Sequence, residues 1–204
     1  MKIGPKYKIA RRLGDRIFPK TQTSKFTISG TEKARTGKRG KRSGGEFGQQ
    51  LIEKQKARLS YGVTEKQFSN YVKKVRVKHG SNPATELATL LESRLDNTVF
   101  RLGLVKSRLA ARQAVSHGHI LVNSRRVKVP SCEIGAGDKI SVRPESRQSG
   151  LFRDLAERLK EYTTPAWLTF DAERWEGTVS AKPQMGPTET SLNFNSILEF
   201  YSRV

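Results

Sequence analysis

The chain has 204 residues, a formal net charge of +20 and a single cysteine, Cys132. That length allows one large domain or two small ones. An intrachain disulfide is excluded, which fits a reducing compartment, and no apolar run approaches the roughly 18 residues a membrane span needs. A positive excess of that size opposes compaction unless an anionic partner neutralises it. Nucleic acid fits this role better than an acidic membrane, because no basic helix with a strong apolar face is present.

Residues 1–45 hold 14 Lys/Arg against 2 acids. This segment reads as extended and irregular: the stretch Thr36–Gly45 has almost no apolar residue and cannot form a core. It is either a solvated tail or an arm that orders against phosphate, and its charge favours the arm. It is basic and acid-poor, as organellar transit peptides are. Pro5, Gly14, Pro19 and Gly30 would break the long amphipathic helix such a peptide requires.

Helices follow. Leu51, Lys54-Gln55 and Arg58-Leu59 lie in a polar helix ending near Gly62. Thr64 is an N-cap with Gln67 in the capping-box position. Phe68, Tyr71, Val72 and Val75 then repeat at helical spacing. Asn82-Pro83 opens the next helix, with Leu87, Leu90 and Leu91 as its buried stripe. Leu95, Val99 and Leu102 mark a short helix ending at Gly103, and Ser107 caps another that ends at Gly118. His119 to Val122 reads as a strand, Asn123-Ser124 as a turn, and Arg125 to Val129 as the return strand. Gly135 to Asp138 turns the chain into a third strand through Ile140 and Val142. Leu151 to Tyr162 is helical, and Trp167 to Phe170 is a further strand candidate.

The functional constellation lies between Arg94 and Arg143. Arg108 and Arg112 are four residues apart and share a helix face. Arg101 comes from the preceding helix, and Arg125, Arg126 and Lys128 come from the hairpin. Short adjacent elements pack together, so these cations are expected to converge on one ridge. Guanidinium forks match phosphate oxygens and base edges. Gln113, His117, His119 and Asn123 add groups able to reach bases and 2′-hydroxyls, which distinguish RNA from DNA.

Enzymatic signatures are absent. Gly37, Gly40, Gly44 and Gly45 do not form a Walker loop. No motif places a Ser beside a His as nucleophile and base. His117 and His119 flank Gly118 without any Cys-x-x-Cys spacing, so no metal is expected.

The runs Leu91 to Gly103 and Ala111 to Asn123 resemble the family of ribosomal protein four of the small subunit, bacterial and organellar type. Those runs alone would define only its RNA-binding module, which also decorates RNA-modifying enzymes. The resemblance extends along nearly the whole chain through Gly4-Pro5-Lys6, Glu53 to Lys56, Tyr61-Gly62-Val63, Pro165 to Leu168, Trp175-Glu176-Gly177 and the ending Glu199 to Arg203.

The resemblance implies an α+β fold. A mostly helical split domain, 46–92 completed by 183–204, would surround a central RNA-binding module of short helices and a small antiparallel sheet at 93–182, with its core at 93–155. Residues 1–45 would be the extended basic arm. It implies a structural constituent of the small ribosomal subunit, not an enzyme. Such a protein binds small-subunit ribosomal RNA directly and early, organises a multi-helix junction of the 5′ domain and contributes to translational accuracy. Its expected partners are that RNA and neighbouring small-subunit proteins, notably number five, with no membrane, no cofactor and no homo-oligomer in the ribosome. A bacterial cytoplasmic ribosome or an organellar one fits.

Arg94, Arg101, Arg112, Gln113, His117, His119, Asn123 and Arg125 match the module's RNA-facing or shaping pattern. Asp96 is expected to orient an arginine or cap its helix rather than touch RNA. The expected RNA set also includes Arg108, Arg126, Lys128, Arg11, Arg12, Lys38, Arg39, Lys41, Arg42, Lys54, Lys56 and Arg58. Some members carry a zinc-binding cysteine cluster near the N-terminus; no cysteine precedes Cys132, so a zinc-free variant is expected. The usual Asn-Gly turn is Asn123-Ser124 here, which predicts strain or another turn type.

Two other classes remain to be weighed. A modifying enzyme such as a pseudouridine synthase would need a catalytic domain that the stretch after the module is too short to form. A non-specific RNA chaperone would act through the basic arm alone.

Overall fold

Helices begin and end where the capping residues stand. Thr64 Oγ1 accepts from the Gln67 amide while Gln67 Oε1 accepts from the Thr64 amide, closing the capping box of a helix over Glu65–Val77. Ser107 Oγ accepts from the Ala110 amide at the start of Arg108–His117, and Gly118 ends that helix at φ +73°.

The computed structural model describes residues 3–24, 26–27, 45–78, 80, 82–184 and 192–203. Among them the helices are α1 (Lys6–Leu13), α2 (Glu46–Ser60), α3 (Glu65–Val77), α4 (Pro83–Glu92), α5 (Leu95–Arg101), α6 (Arg108–His117), α7 (Leu155–Glu161) and α8 (Phe194–Arg203). The strands are β1 (Ile120–Val122), β2 (Arg125–Arg126), β3 (Lys139–Val142), β4 (Leu168–Asp171) and β5 (Glu176–Val179). The architecture is α+β, as the sequence predicts. The chain divides into two compact units, Met1–Leu87 with Thr190–Val204, and Ala88–Glu189.

In the first unit α8 supplies the aromatic residues that α2 and α3 pack against. Phe47 stacks on Phe200 at 5.1 Å and Phe68 on Tyr201 at 6.1 Å between ring centroids. The N-terminal segment corrects the expectation of wholly irregular chain. Residues 6–13 are helical because Ile9, Ala10 and Leu13 fall on one face, and Gly14 at φ +68° closes the helix. Ala10, Leu13, Phe18 and Phe26 bury together with Leu59 of α2. Residues 28–44, with Lys38, Arg39, Lys41 and Arg42, lie outside the described residues.

The second unit has one core, drawn from α5, α6 and the inner face of a five-stranded antiparallel sheet ordered β2-β1-β3-β5-β4. Leu121 pairs with Arg126 and Ser141 on its two sides. Three readings needed correction. The return strand is only Arg125–Arg126. Beyond Val127 the chain leaves the sheet toward Pro130, which has no N–H for a ladder, and lies against the start of α5: the Leu95 and Asp96 amides donate to Cys132 O and Pro130 O. Residues 151–154 are turns, so the last helix of this unit starts at Leu155. Strand β5, not expected, inserts between β3 and β4. Its Gly177 is required by packing, since a Cβ there would sit 2.6 Å from the Leu102 side chain.

Candidate nucleic-acid interface

The helix and hairpin are joined by an arginine. The last carbonyls of α6 have no partner within the helix. Arg126 supplies one from the hairpin: its Nε donates to Gly118 O and its Nη2 to His117 O, each at 3.0 Å. The guanidinium lies where a Cβ on Gly118 would stand, so glycine at this position serves both the left-handed cap and the close approach. The cation also meets the negative end of the helix dipole.

The turn between β1 and β2 resolves the Asn123-Ser124 question. Asn123 (φ +49°) and Ser124 (φ +64°) both take left-handed conformations, the type I′ pattern that matches strand twist. Asn123 holds it in place. Its Nδ2 donates to Asp138 Oδ1 at 2.8 Å and its Oδ1 accepts from the Lys139 amide at 2.9 Å. Asn123 therefore shapes the hairpin, and Ser124 keeps an unfavourable φ against that lock.

Under the ridge lie two buried carboxylates. Glu92, 1% exposed, accepts from Arg101 Nε and Nη2 at 2.8 and 2.9 Å and from Asn97 Nδ2 at 2.7 Å. Arg108 lies 3.8 Å from the same carboxylate, donates to Asn97 Oδ1 at 2.7 Å and covers the Phe100 ring at 4.7 Å. Asp96 receives Arg94 through two bonds of 3.0 and 2.6 Å, with Arg112 at 3.6 Å. Asp96 thus orients arginines, as read from the sequence. Such pairs hold only when the remaining lone pairs and N–H groups are bonded, and here each carboxylate gathers its own cluster of donors.

These clusters sort the expected RNA contacts. Arg94, with its side chain 1% exposed, lies beneath the surface and supports it; its inclusion among direct contacts is corrected, because the Asp96 carboxylate and the chain around Cys132 enclose it. Lys54 is buried likewise, paired with Glu65 at 2.8 Å and 4.6 Å from the Phe200 ring centroid. Lys56 pairs with Glu53, and Arg58 with Gln55 and Glu65. Arg101 is mostly buried, and Arg108 and Arg112 are half-buried, each with part of its guanidinium edge engaged. Gln113, His117, Asn123, Arg125, Arg126 and Lys128 are exposed. Among the described residues, no side-chain hydrogen bond or ion pair occupies Arg125 or Lys128. Arg11 and Arg12 are exposed on α1, with Arg11 5.7 Å from the Phe26 ring centroid.

Two features escaped the sequence reading. Glu92 organises Arg101, Asn97 and Arg108, yet its partners stand 5 to 16 positions away, off any single helical face. Arg143 and Ser146 reach His119: Ser146 Oγ lies 2.9 Å from His119 Nδ1, and the Arg143 amide donates to His119 O. Among the described residues no group of three His, Cys, Asp or Glu could hold a metal ion, and no helix is long and apolar enough to cross a membrane.

Comparison with known proteins identifies the family. The family described as S4 domain matches residues 93–140, and the family described as Ribosomal protein S4/S9 N-terminal domain matches residues 1–92. Small ribosomal subunit protein uS4 of Roseiflexus castenholzii is 42% identical over 205 residues, covering 98% of both chains. The proteins of the same name from Halothermothrix orenii and Shewanella loihica are 41% and 39% identical, again over 98% of each chain. With relatives matched end to end and both family regions in place, this chain belongs to the family of small ribosomal subunit protein uS4, which is structural and not enzymatic.

Proposed function

We propose that the chain binds small-subunit ribosomal RNA directly and early, organising a multi-helix junction of the 5′ domain as the body of the subunit assembles. One observation carries this reading. The second unit presents exposed cations and polar groups on the hairpin and the outer face of α6, over a layer of arginines already fixed by Glu92 and Asp96. A surface held in shape before contact suits docking onto folded RNA, because little side-chain freedom is lost on binding. Arg125, Lys128, Gln113 and His117 are the direct contacts of that docking. Arg108, Arg112, Arg126, His119 and Asn123 set its outline, and Arg11, Arg12, Lys38, Arg39, Lys41 and Arg42 add cationic charge to the binding.

In this reading residues 93–182 are the RNA-binding module, and 46–92 with 183–204 form the helical domain. The division of the fold at Ala88 and after Glu189 lends support to those bounds. Neighbouring small-subunit proteins, notably number five, complete the partners, and the protein contributes to translational accuracy. Its setting is the cytoplasmic ribosome of a bacterium, in keeping with the bacterial relatives.

The test is binding of the full chain to a 5′-domain fragment of small-subunit ribosomal RNA across salt concentrations. If the contacts engage roughly six to ten phosphates, affinity falls by about 10³- to 10⁵-fold between about 50 and 200 mM salt. Affinity unchanged across a tenfold salt range would sink the proposal. Deleting residues 28–44 leaves the packed residues Ala10, Leu13, Phe18 and Phe26 in place. This variant should still prefer the fragment over unrelated RNA, more weakly; loss of all binding would mark a chaperone acting through its arm.

A further inference from the structure

At one end of the ridge, α6 finishes, the hairpin returns and β3 leaves the sheet. Several nitrogen-bearing side chains meet there. His117 is exposed at the end of α6, and its ring centroid is 5.9 Å from that of His119. His119 is half-buried, set edge-on to Phe152 at 6.3 Å, with its Nδ1 2.9 Å from Ser146 Oγ. Arg126, from β2, is fixed on the carbonyls of His117 and Gly118. Arg143 follows β3 and pairs with Glu145 at 2.6 Å. Among the described residues, the acids on these elements are Glu145, which Arg143 already engages, and Asp154, two residues past Phe152, which Lys106 engages at 3.0 Å; Arg153 lies beside Asp154 on the same turn.

We propose that this patch is a seat for an RNA backbone phosphate whose occupancy is coupled to protonation of His119. The inference rests on the RNA-binding reading above and adds its regulation by protons. The chemistry follows from the partners. Two arginines and one glutamate leave the patch positive even with His119 neutral, so protonating that ring adds charge to charge. A phosphate supplies the missing anion and reverses that cost. Ser146 suits both states of His119, since its hydroxyl can donate to a bare Nδ1 or accept from a protonated one. In the cationic state Nε2–H becomes a charge-assisted donor for a phosphate oxygen.

In the free protein, burial and then the neighbouring His117, Arg126 and Arg143 hold His119 below the ordinary histidine range. The linkage has a definite sign. A depressed value favours the neutral ring in the fold, so its contribution to stability is present above the unfolded value and lost as the pH falls through the folded one. Phosphate raises the value again, so the complex takes up protons and RNA affinity rises as the pH falls.

The experiment uses the full chain and the 5′-domain RNA fragment at fixed salt. Calorimetry near about pH 7, in buffers of different ionisation enthalpy, should report net proton uptake on binding. Affinity should rise roughly three- to tenfold between about pH 8 and pH 6, since one linked proton allows at most about tenfold per pH unit. The chain has three histidines, so ring resonances can be followed individually, and that of His119 should titrate at higher pH in the complex. The double variant His117→Gln/His119→Gln should lose the uptake and flatten the pH dependence. If the wild type binds without uptake, or the double variant keeps the same dependence because the RNA itself titrates, the coupling is overturned. Should His119→Gln fail to fold, the titration of the wild-type His119 ring in free and bound protein decides. No binding at any pH overturns the RNA-binding reading itself, a separate outcome.

Discussion

The buried arginines under α6 and the exposed cations of the hairpin are the same kind of group put to opposite uses. Arg94 and Arg101 spend their hydrogen bonds inward on Asp96 and Glu92, where the carboxylates are almost without solvent. Arg125 and Lys128 stand outside, with no such partner among the described residues. Positive charge therefore has to be sorted by burial before it is counted toward binding. The inner layer fixes a shape; the outer layer is left open to solvent.

The largest expected effect tests the inner layer. Glu92→Gln removes a buried charge while leaving Arg101 in place, and breaking a buried pair in this way costs about 3–5 kcal/mol. Urea denaturation should show a lower midpoint with an unchanged slope. Near-native stability would mean that Glu92 does not hold the layer together. Arg125→Ala is the complementary break: stability should stay within about 0.5 kcal/mol. RNA affinity should fall by about 1–3 kcal/mol if Arg125 reads a specific feature, and in any case the slope of its salt dependence should lessen. Wild-type binding by this variant would remove the hairpin from the interface. The smallest effect sharpens the outer layer. Ser124→Gly relieves a left-handed serine and should add about 0.5 kcal/mol of stability, partly offset by the entropy of glycine in the unfolded chain. A loss of stability on thermal melting would show that the serine is not strained.

What could be read from sequence was local. Thr64 with Gln67, Ser107, and Gly118 announce helix ends through contacts a few residues apart, and the structure places those ends as read. The helix over Lys6–Leu13 was hidden because its three apolar residues sit among four cations. Strand β5 was hidden because its place depends on β3 and β4, which flank it on both sides, and on Leu102. The site divides the same way. Asp96 could be read, through the resemblance, as orienting an arginine or capping its helix, and it takes two bonds from Arg94. That Arg94 itself is buried follows from chain near Cys132 folding back on it, a pairing with no local signature.

The sheet also bears on the life of the chain before assembly. One of its edges is β2, only two residues long and carrying the exposed side chains of Arg125 and Arg126. An open strand edge invites pairing with another copy, and short length with outward charge discourages it. A newly made chain thus keeps copies of itself apart at that edge with two arginines of the same hairpin that the proposed function puts at the RNA interface. Replacing both by apolar residues would leave a stickier protein as well as a weaker binder.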